Sequence, residues 1–143
     1  MDVEDTIREY GYVNFKTKKE EWSDYELGDG TIIRIKAVPL KFLKTGTDYP
    51  LNSTVLMAPF SPPELKGAPT IPPPTNPKEA LDQPDMKFDT MNEPWNEYEL
   101  EDDVTISVKI IVTSVSSTFI HDPAGEPVYF VNHQIITKRN PPI

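Results

Sequence analysis

The chain has 143 residues, which is enough for one ordinary domain with a buried core or for two very small ones. Its net charge of −9 disfavours direct contact with nucleic-acid phosphates or with an anionic membrane surface. Because it contains no cysteine, disulfides, thiol nucleophiles, iron–sulfur clusters and cysteine zinc sites are excluded.

The start of the chain lacks the features of an export signal. Residues 1–5 carry three acidic side chains, so they form neither a basic n-region nor an apolar h-region. No stretch approaches the roughly 18 apolar residues that a membrane span needs. Together with the lack of cysteine, these features predict an intracellular, non-secreted protein without a membrane span.

The first predicted element is a short helix from Asp2 to Tyr10. Gly11 follows it directly and is expected to end it, since glycine favours the conformation found just beyond a helix. Ile7 is the only strong apolar anchor of this helix. We therefore expect a short, weakly attached arm rather than a core element.

From Phe15 onward the chain is similar to a later stretch of itself that begins at Phe88. Residues 15–42 and 88–115 align without a gap and are identical at ten of 28 positions. The shared residues are Phe15, Thr17, Glu20, Trp22, Tyr25, Glu26, Leu27, Asp29, Ile33 and Lys36, each with its counterpart in the later stretch. Both tryptophans of the protein belong to this set. We interpret the similarity as an internal duplication.

Each copy predicts a turn followed by a long strand with alternating apolar residues. The turns lie at 28–30 and 101–103, where glycine and aspartate favour tight turns. The alternation then changes phase: in the first copy it continues through Val38, Leu40 and Phe42, and in the second through Ile111 and Val115. A strand that changes its buried face in this way is expected to bend through a bulge.

A return strand is expected to complete each copy. In the first copy a loop at 45–50 leads to a strand at 53–58. In the second copy a Pro-Ala-Gly turn after Asp122 leads to a strand at about 128–137. The predicted fold class is therefore all-β: two duplicated antiparallel units, barrel-like or sandwich-like, at 1–58 and 86–143. Because each unit is too small to be stable alone, we expect the two to share a core.

A proline-rich linker at 59–85 connects the two units. Residues 59–84 hold nine of the sixteen prolines, so this segment is expected to stay outside the sheets as extended polyproline II. Asn76 followed by Pro77 predicts a helical turn from Pro77 to Leu81. We expect the linker to dock on protein surface, either on its own chain or on a neighbour. The apolar anchors of the linker are Phe60, Leu65, Ile71 and Leu81. The aromatic grooves that would receive them are expected near Trp22 and Trp95.

No constellation of catalytic side chains is evident in the sequence. Hairpin register places His121 beside Pro127 and His133 opposite Val115, too far apart to share a metal. There is no Gly-x-Ser-x-Gly elbow, phosphate loop or dinucleotide fingerprint. We therefore predict no catalytic, cofactor-binding or metal-binding residue.

The charges are distributed unequally between the halves. Residues 1–58 hold eight basic and ten acidic side chains, whereas 85–143 hold four basic and ten acidic ones. Five of the seven residues at 97–103 are acidic, which is typical of a solvated strand face, although a divalent ion stays possible there. The aromatic residues around both tryptophans fit core packing better than a binding platform.

Two classes of function are compatible with these features. The preferred one is a non-enzymatic structural or interaction protein, an accessory or coat-type subunit of a homo-oligomeric or larger protein assembly. The alternative is a ligand-binding or catalytic β-barrel with its site between the two units, where duplicated folds often form a cleft.

Overall fold

The computed structural model describes residues 2–142, apart from the side chain of Pro77. Met1 and Ile143, the outer ends of the two expected units, lie outside the described residues. The chain is mostly β, as predicted. The elements are α1 (Val3–Glu9), β1 (Tyr12–Val13), β2 (Phe15–Lys19), β3 (Ser23–Leu27), β4 (Ile32–Leu43), β5 (Leu51–Phe60), β6 (Phe88–Asn92), β7 (Asn96–Leu100), β8 (Val104–His121) and β9 (Pro127–Asn140), with short 3₁₀ turns at Pro63–Leu65 and Pro77–Ala80. Within the described residues, no helix has the length and apolar character needed to cross a membrane.

The strands form two antiparallel sheets, one of which curls into a half-barrel. One sheet runs β6-β3-β4-β5, with β1 beside the end of β4, and the other runs β2-β7-β8-β9. Each sheet therefore takes its first strand from the other half of the chain. The expected arrangement, in which each half builds its own sheet, does not include this exchange.

The exchanged strands occupy matching positions in the two sheets. β2 and β6 cover equivalent residues of the two aligned stretches, and so do β3 and β7. In the pairing of β2 with β7, Phe15 lies opposite Leu100, and in the pairing of β6 with β3, Phe88 lies opposite Leu27. The same backbone geometry is thus used twice, once in each sheet.

Both long strands bend at a bulge, as the phase change predicted. The register of β4 against β5 shifts between Pro39 and Lys41, and that of β8 against β9 shifts between Val112 and Ser114. These two sites align with each other in the two similar stretches. A bulge adds one residue to one strand, so the side chains beyond it point to the opposite face.

Fewer residues become buried at the change of face than the sequence predicted. Phe42 and Val115 are fully buried beyond the bulges, whereas Leu40 is 57% exposed and Val38 is only half-buried. Leu40 was expected on the buried face, and this was wrong. It lies within the bulge itself, where the extra residue turns its side chain outward.

The core lies between the two sheets and contains residues from both halves. Phe15 of β2 packs edge-on against Phe42 at 5.0 Å and against Tyr98 at 6.0 Å. Tyr25 packs against Phe88 in the equivalent way, at 5.8 Å. The exchanged strands therefore place one aromatic ring each into the core beside the other half's tyrosine.

The predicted hairpin turn and terminal helix are both present. The Asp122 amide donates to the Glu126 carbonyl at 2.8 Å, and Gly125 adopts a φ of +82° in the turn. Asp2 caps α1 by accepting from the Asp5 amide at 2.8 Å. His133, however, lies opposite Val112 rather than Val115, because two register shifts along β8 displace the pairing.

The segment between the halves is hydrogen-bonded to the second half. The Gly67 amide donates to the Gly125 carbonyl at 3.0 Å, and the Thr70 amide donates to the His121 carbonyl at 3.0 Å. Farther along, the Met86 amide donates to the Val115 carbonyl at 2.8 Å. The expectation that prolines exclude the whole of 59–84 from the sheets was wrong at its start, because Pro59 and Phe60 belong to β5. Proline is tolerated there because β5 is an edge strand.

Candidate functional site

Each of the two sheets ends in two edge strands, apart from the two-residue β1 beside the end of β4. Within residues 2–142, β5 pairs only with β4 and β9 only with β8, while β6 and β2 form the opposite edges. An edge strand presents unpaired backbone N–H and C=O groups that can pair with another chain. Natural proteins block this with short strands, charged side chains or cover, so the protection of each edge is informative.

The edges formed by β2 and β6 are protected. β2 has five residues, of which Lys16, Lys18 and Lys19 are exposed lysines. β6 also has five residues and carries Asp89. Pairing another strand against either edge would require these charges to lose water, which disfavours association.

The edge formed by β5 is unprotected. β5 is ten residues long, and no charged residue occurs between positions 49 and 63. Three large apolar side chains on it are open to solvent: Leu56 is 46% exposed, Met57 40% and Phe60 55%. A long, uncharged edge with exposed apolar side chains favours pairing with a further strand.

The edge formed by β9 has the same character over its first eleven residues, which Lys138 and Arg139 follow near its end. No Asp, Glu, Lys or Arg occurs between positions 127 and 137. Ile135 lies opposite the buried Ile110, so it is on the core-facing side of the sheet, yet it is 36% exposed. The core-facing side of β9 is therefore partly uncovered at this strand.

The two unprotected edges approach each other at one end. The Arg139 guanidinium, near the end of β9, donates to the Thr47 carbonyl and lies 5.3 Å from the ring centre of Tyr49, just before β5. A cleft of about 400 Å³ lies here. β5 thus starts close to where β9 ends, although the two strands belong to different sheets.

A pair of equivalent polar clusters locks the crossovers between sheets. The Tyr25 hydroxyl donates to Glu93 at 2.5 Å, and the Tyr98 hydroxyl donates to Glu20 at 2.8 Å. Lys109 lies 3.7 Å from the Glu93 carboxylate. In the equivalent cluster, a lysine from β4 lies 3.4 Å from Glu20. Each glutamate sits on the short link between an exchanged strand and the next, so these contacts hold the exchange in place.

Burial and the neighbouring carboxylates raise the pKa of Tyr25 and of Tyr98, with burial as the larger cause. An unfolded tyrosine ionises near pH 10, so below that pH the neutral form is present in both states. Above it the unfolded chain loses protons that the folded chain keeps. We expect the free energy of unfolding to fall as pH rises above about 10. Urea unfolding between about pH 8 and pH 11 measures this, and a flat profile would contradict it.

The matched variant for that titration is the double substitution Tyr25→Phe and Tyr98→Phe. It removes the two buried hydroxyls and keeps the rings in the core. Its unfolding free energy should depend less on pH above about 10 than that of the wild type. A double variant with the same slope as the wild type would assign the alkaline loss to other groups.

Most of the acidic run at 97–103 is paired with basic residues of the first half. Lys18 lies 2.7 Å from Glu99, Arg8 lies 2.8 Å from Glu101, and Lys44 lies 2.8 Å from the next residue, Asp102. Hydrogen bonds to these cations lower the pKa of all three carboxyl groups. The unequal charge of the two halves therefore reflects contacts between them. In residues 2–142, no group of three or more His, Asp or Glu side chains is arranged to hold a metal ion.

A cleft of about 460 Å³ lies between the halves, where the alternative function would place a site. Its charged walls are Arg8 and Lys44 on one side and Glu101 and Asp102 on the other. These groups are the ion-pair partners described above, so their charges compensate one another. The cleft thus offers a set of satisfied ion pairs rather than a poised acid, base or nucleophile.

The histidines lie far apart in the hairpin. The His121 backbone amide donates to the Thr70 hydroxyl of the proline-rich segment at 2.9 Å, and the His121 ring Nε2 lies 3.1 Å from the Leu65 carbonyl. His133 is exposed on β9. His121 therefore takes part in holding the segment, and neither histidine is placed beside the other.

The six interface candidates from the sequence lie in different surroundings. Phe60 is on the unprotected edge of β5. Leu65 is half-buried, Leu81 is 38% exposed and Ile71 is 83% exposed. Basic side chains cover the faces of both tryptophans: Lys36 lies 4.5 Å from the ring centre of Trp22, and Lys138 lies 4.2 Å from that of Trp95. The role of these six residues in an interface stays a prediction.

Sequence reasoning missed the two unprotected edges, although a signal for them exists. It is the pair of uncharged stretches at 49–63 and 127–137, in a chain with 26% charged residues. An uncharged strand is equally typical of a sheet interior, where both neighbours cover it. Only the pairing of strands distinguishes an edge from an interior position.

Comparison of the chain with protein-family models, with curated proteins and with solved structures finds no match. The features that bear on function are those of the fold itself. They are the two uncharged edges, the ion pairs between the halves and the docked proline-rich segment.

Proposed function

We propose that the protein is a non-enzymatic assembly subunit that associates with other protein chains through β5 and β9. The observation that supports this most directly is the contrast between edges: β2 and β6 are short and charged, while β5 is long and uncharged and β9 is long and uncharged from 127 to 137. Selection against aggregation normally removes such edges. The presence of two such edges in one acidic chain supports their use in binding other chains.

Association at such an edge adds a strand to an existing sheet. The backbone groups of the incoming strand form the hydrogen bonds, and its alternate side chains contact apolar residues on the two faces of the sheet. On β5 these contacts are available at Leu56 on the outer face and Met57 on the core-facing side. The partner is therefore expected to contribute an extended, uncharged segment.

The test is the mass of the native assembly, measured by light scattering over a range of concentrations. We expect the purified chain to form oligomers. The double variant Thr54→Lys and Gln134→Lys adds one lysine to each unprotected edge at exposed positions and should shift the protein to monomer. Oligomers of unchanged mass in the double variant would contradict the proposal.

We propose further that the two halves descend from one duplicated unit. The ten shared residues, the equivalent bounds of the exchanged strands and the bulges at aligned positions support this. The reciprocal Tyr–Glu clusters add support, because two of the ten shared positions, Tyr25/Tyr98 and Glu20/Glu93, build them. On this proposal the units are 1–58 and 86–143, with 59–85 between them.

The proline-rich segment is proposed to act as a strap that is docked on its own chain. Its hydrogen bonds to the β8–β9 hairpin support docking in this way. At the closest approach, a methyl group added to Gly125 would lie 2.8 Å from the Gly67 carbonyl oxygen. The contact therefore depends on glycine, both for space and for the positive φ of the turn.

Replacing Gly125 by Ala should release the strap. Strain and the clash with Gly67 together disfavour the docked state, so trypsin should cut after Lys66 on the order of tenfold faster than in the wild type. Gly46→Ala is the matched control, because Gly46 also has a positive φ but has nothing within 4 Å of the added methyl. Equal cleavage rates in the wild type and Gly125→Ala would contradict docking through this contact.

A further inference from the structure

We infer that copies of this chain associate head to tail, with β5 of one copy pairing antiparallel to β9 of the next. This inference rests on the proposed function and names the partner as a second copy. The two unprotected edges belong to different sheets. One kind of contact between β5 and β9 therefore uses both edges, whereas symmetric contacts would need two different interfaces.

The lengths of the two uncharged surfaces match. β5 contains ten residues, and the uncharged part of β9 spans the eleven positions 127–137. Pairing them leaves no charged side chain within the new ladder. A second copy is the partner that supplies both surfaces without a further assumption.

The charges at the strand ends favour the antiparallel direction. Asp48 precedes β5, and Lys138 and Arg139 lie near the end of β9. Antiparallel pairing brings the start of β5 next to the end of β9 in the neighbouring copy, so opposite charges meet. A symmetric contact between two β9 strands would also bring opposite charges together, Lys138 and Glu126, although Glu126 is already paired with Lys66 at 3.3 Å. The charges therefore select the direction of pairing, and the use of both edges by one contact selects the partner strand.

The net charge of −9 also favours contact at these edges over other surfaces. Two copies carry the same negative charge and repel each other wherever acidic residues face one another. The β5 and β9 surfaces contain none, so repulsion there is weakest. A head-to-tail contact either closes into a ring or continues as a filament, which fits a coat-type or accessory subunit.

The test uses two single variants of the full chain, Leu56→Glu and Ile136→Glu. Leu56 lies opposite Lys36, and Ile136 lies opposite Lys109. Each new carboxylate therefore faces a lysine of its own sheet, which preserves the fold while adding a charge to one edge. Circular dichroism and thermal unfolding should match the wild type.

Head-to-tail pairing makes a specific prediction for mixtures. Each variant alone should associate at least about tenfold more weakly than the wild type, because one of its edges is blocked. Mixed together, the intact β9 of Leu56→Glu pairs with the intact β5 of Ile136→Glu. Sedimentation should then show a heterodimer that does not grow further. Met91→Glu, on the protected edge of β6, is the control and should assemble like the wild type.

The outcomes separate the inference from the proposed function. If Leu56→Glu still dimerises while Ile136→Glu does not, the contact joins two β9 strands, and the reverse result would join two β5 strands. Either result overturns head-to-tail pairing but keeps assembly through the edges. A wild-type chain that stays monomeric at all concentrations, or variants that both assemble normally, overturns self-assembly through these edges and with it the inference.

Discussion

Replacing Phe42 by Ala is expected to lower the free energy of unfolding by about 3–5 kcal/mol. Phe42 is fully buried directly beyond the bulge in β4, where it packs against Phe15 at 5.0 Å. Its ring also lies 6.4 Å from that of Tyr98. These neighbours come from strands of the other sheet, which cannot close around the cavity without moving the sheets together. Chemical denaturation measures the loss.

Leu40→Ala is the matched control for this prediction. Leu40 lies two residues earlier in the same strand and is 57% exposed. Its truncation should change stability by less than about 0.5 kcal/mol. Equal losses at both positions would contradict the change of buried face at the bulge, and with it the bend in β4.

Tyr25→Phe is expected to cost more stability than Tyr98→Phe, although the two residues occupy equivalent positions in the two aligned stretches. Loss of the Tyr98 hydroxyl removes one donor from the Glu20 carboxylate, which keeps Lys36 at 3.4 Å, and should cost about 1–2 kcal/mol. The Tyr25 hydroxyl donates to Glu93 and also accepts from the Val112 amide at 3.2 Å. Its removal takes one donor from Glu93, which keeps Lys109 at 3.7 Å, and leaves the Val112 amide without its acceptor, so it should cost about 3 kcal/mol.

The difference originates at one position of the bulge. The residue equivalent to Val112 in the first half is Pro39, and proline has no backbone N–H to donate. The two variants are compared by urea unfolding near neutral pH, where both tyrosines are protonated. Losses of equal size would show that the Val112 amide contributes nothing to the difference.

The strands and bulges were predictable because they depend on local pattern. Alternating apolar residues identify β4 and β8, and a change of phase locates both bulges to within about two residues. The Asp-Pro-Ala-Gly turn was predictable for the same reason. The placement of Leu40 was not, because periodicity shows that a face changes but not which residue the bulge turns outward.

The exchange of first strands could not be predicted from the sequence, because internal similarity identifies equivalent segments but not the strands with which they pair. Either arrangement, with β2 beside β3 or beside β7, satisfies the same alternation. The charges do not decide between the two arrangements. Lys16 lies opposite Glu99 and Lys19 opposite Glu97, but β3 carries Glu26 and Asp24 at the equivalent positions, so the lysines of β2 would face acidic residues in either case.

The candidate site was predictable only in part. A protein interface was expected, but it was assigned to apolar residues of the linker and to the tryptophans. Of the six candidates, Phe60 alone lies on an unprotected edge, because β5 extends into the proline-rich region. Nearly every residue type carries the same backbone N–H and C=O groups, so composition alone cannot identify the strand in which they are unpaired.

The strand exchange also determines when the chain can fold. β2 needs β7 as its partner, and β6 needs β3, so neither sheet can be completed before the second half of the chain is available. Such pairings join residues that are distant in sequence, and this slows folding. During synthesis the first half must therefore wait, with its lysine-rich first strand unpaired, until the ribosome has released the second. The lysines that protect the finished edge of β2 keep that waiting strand soluble as well.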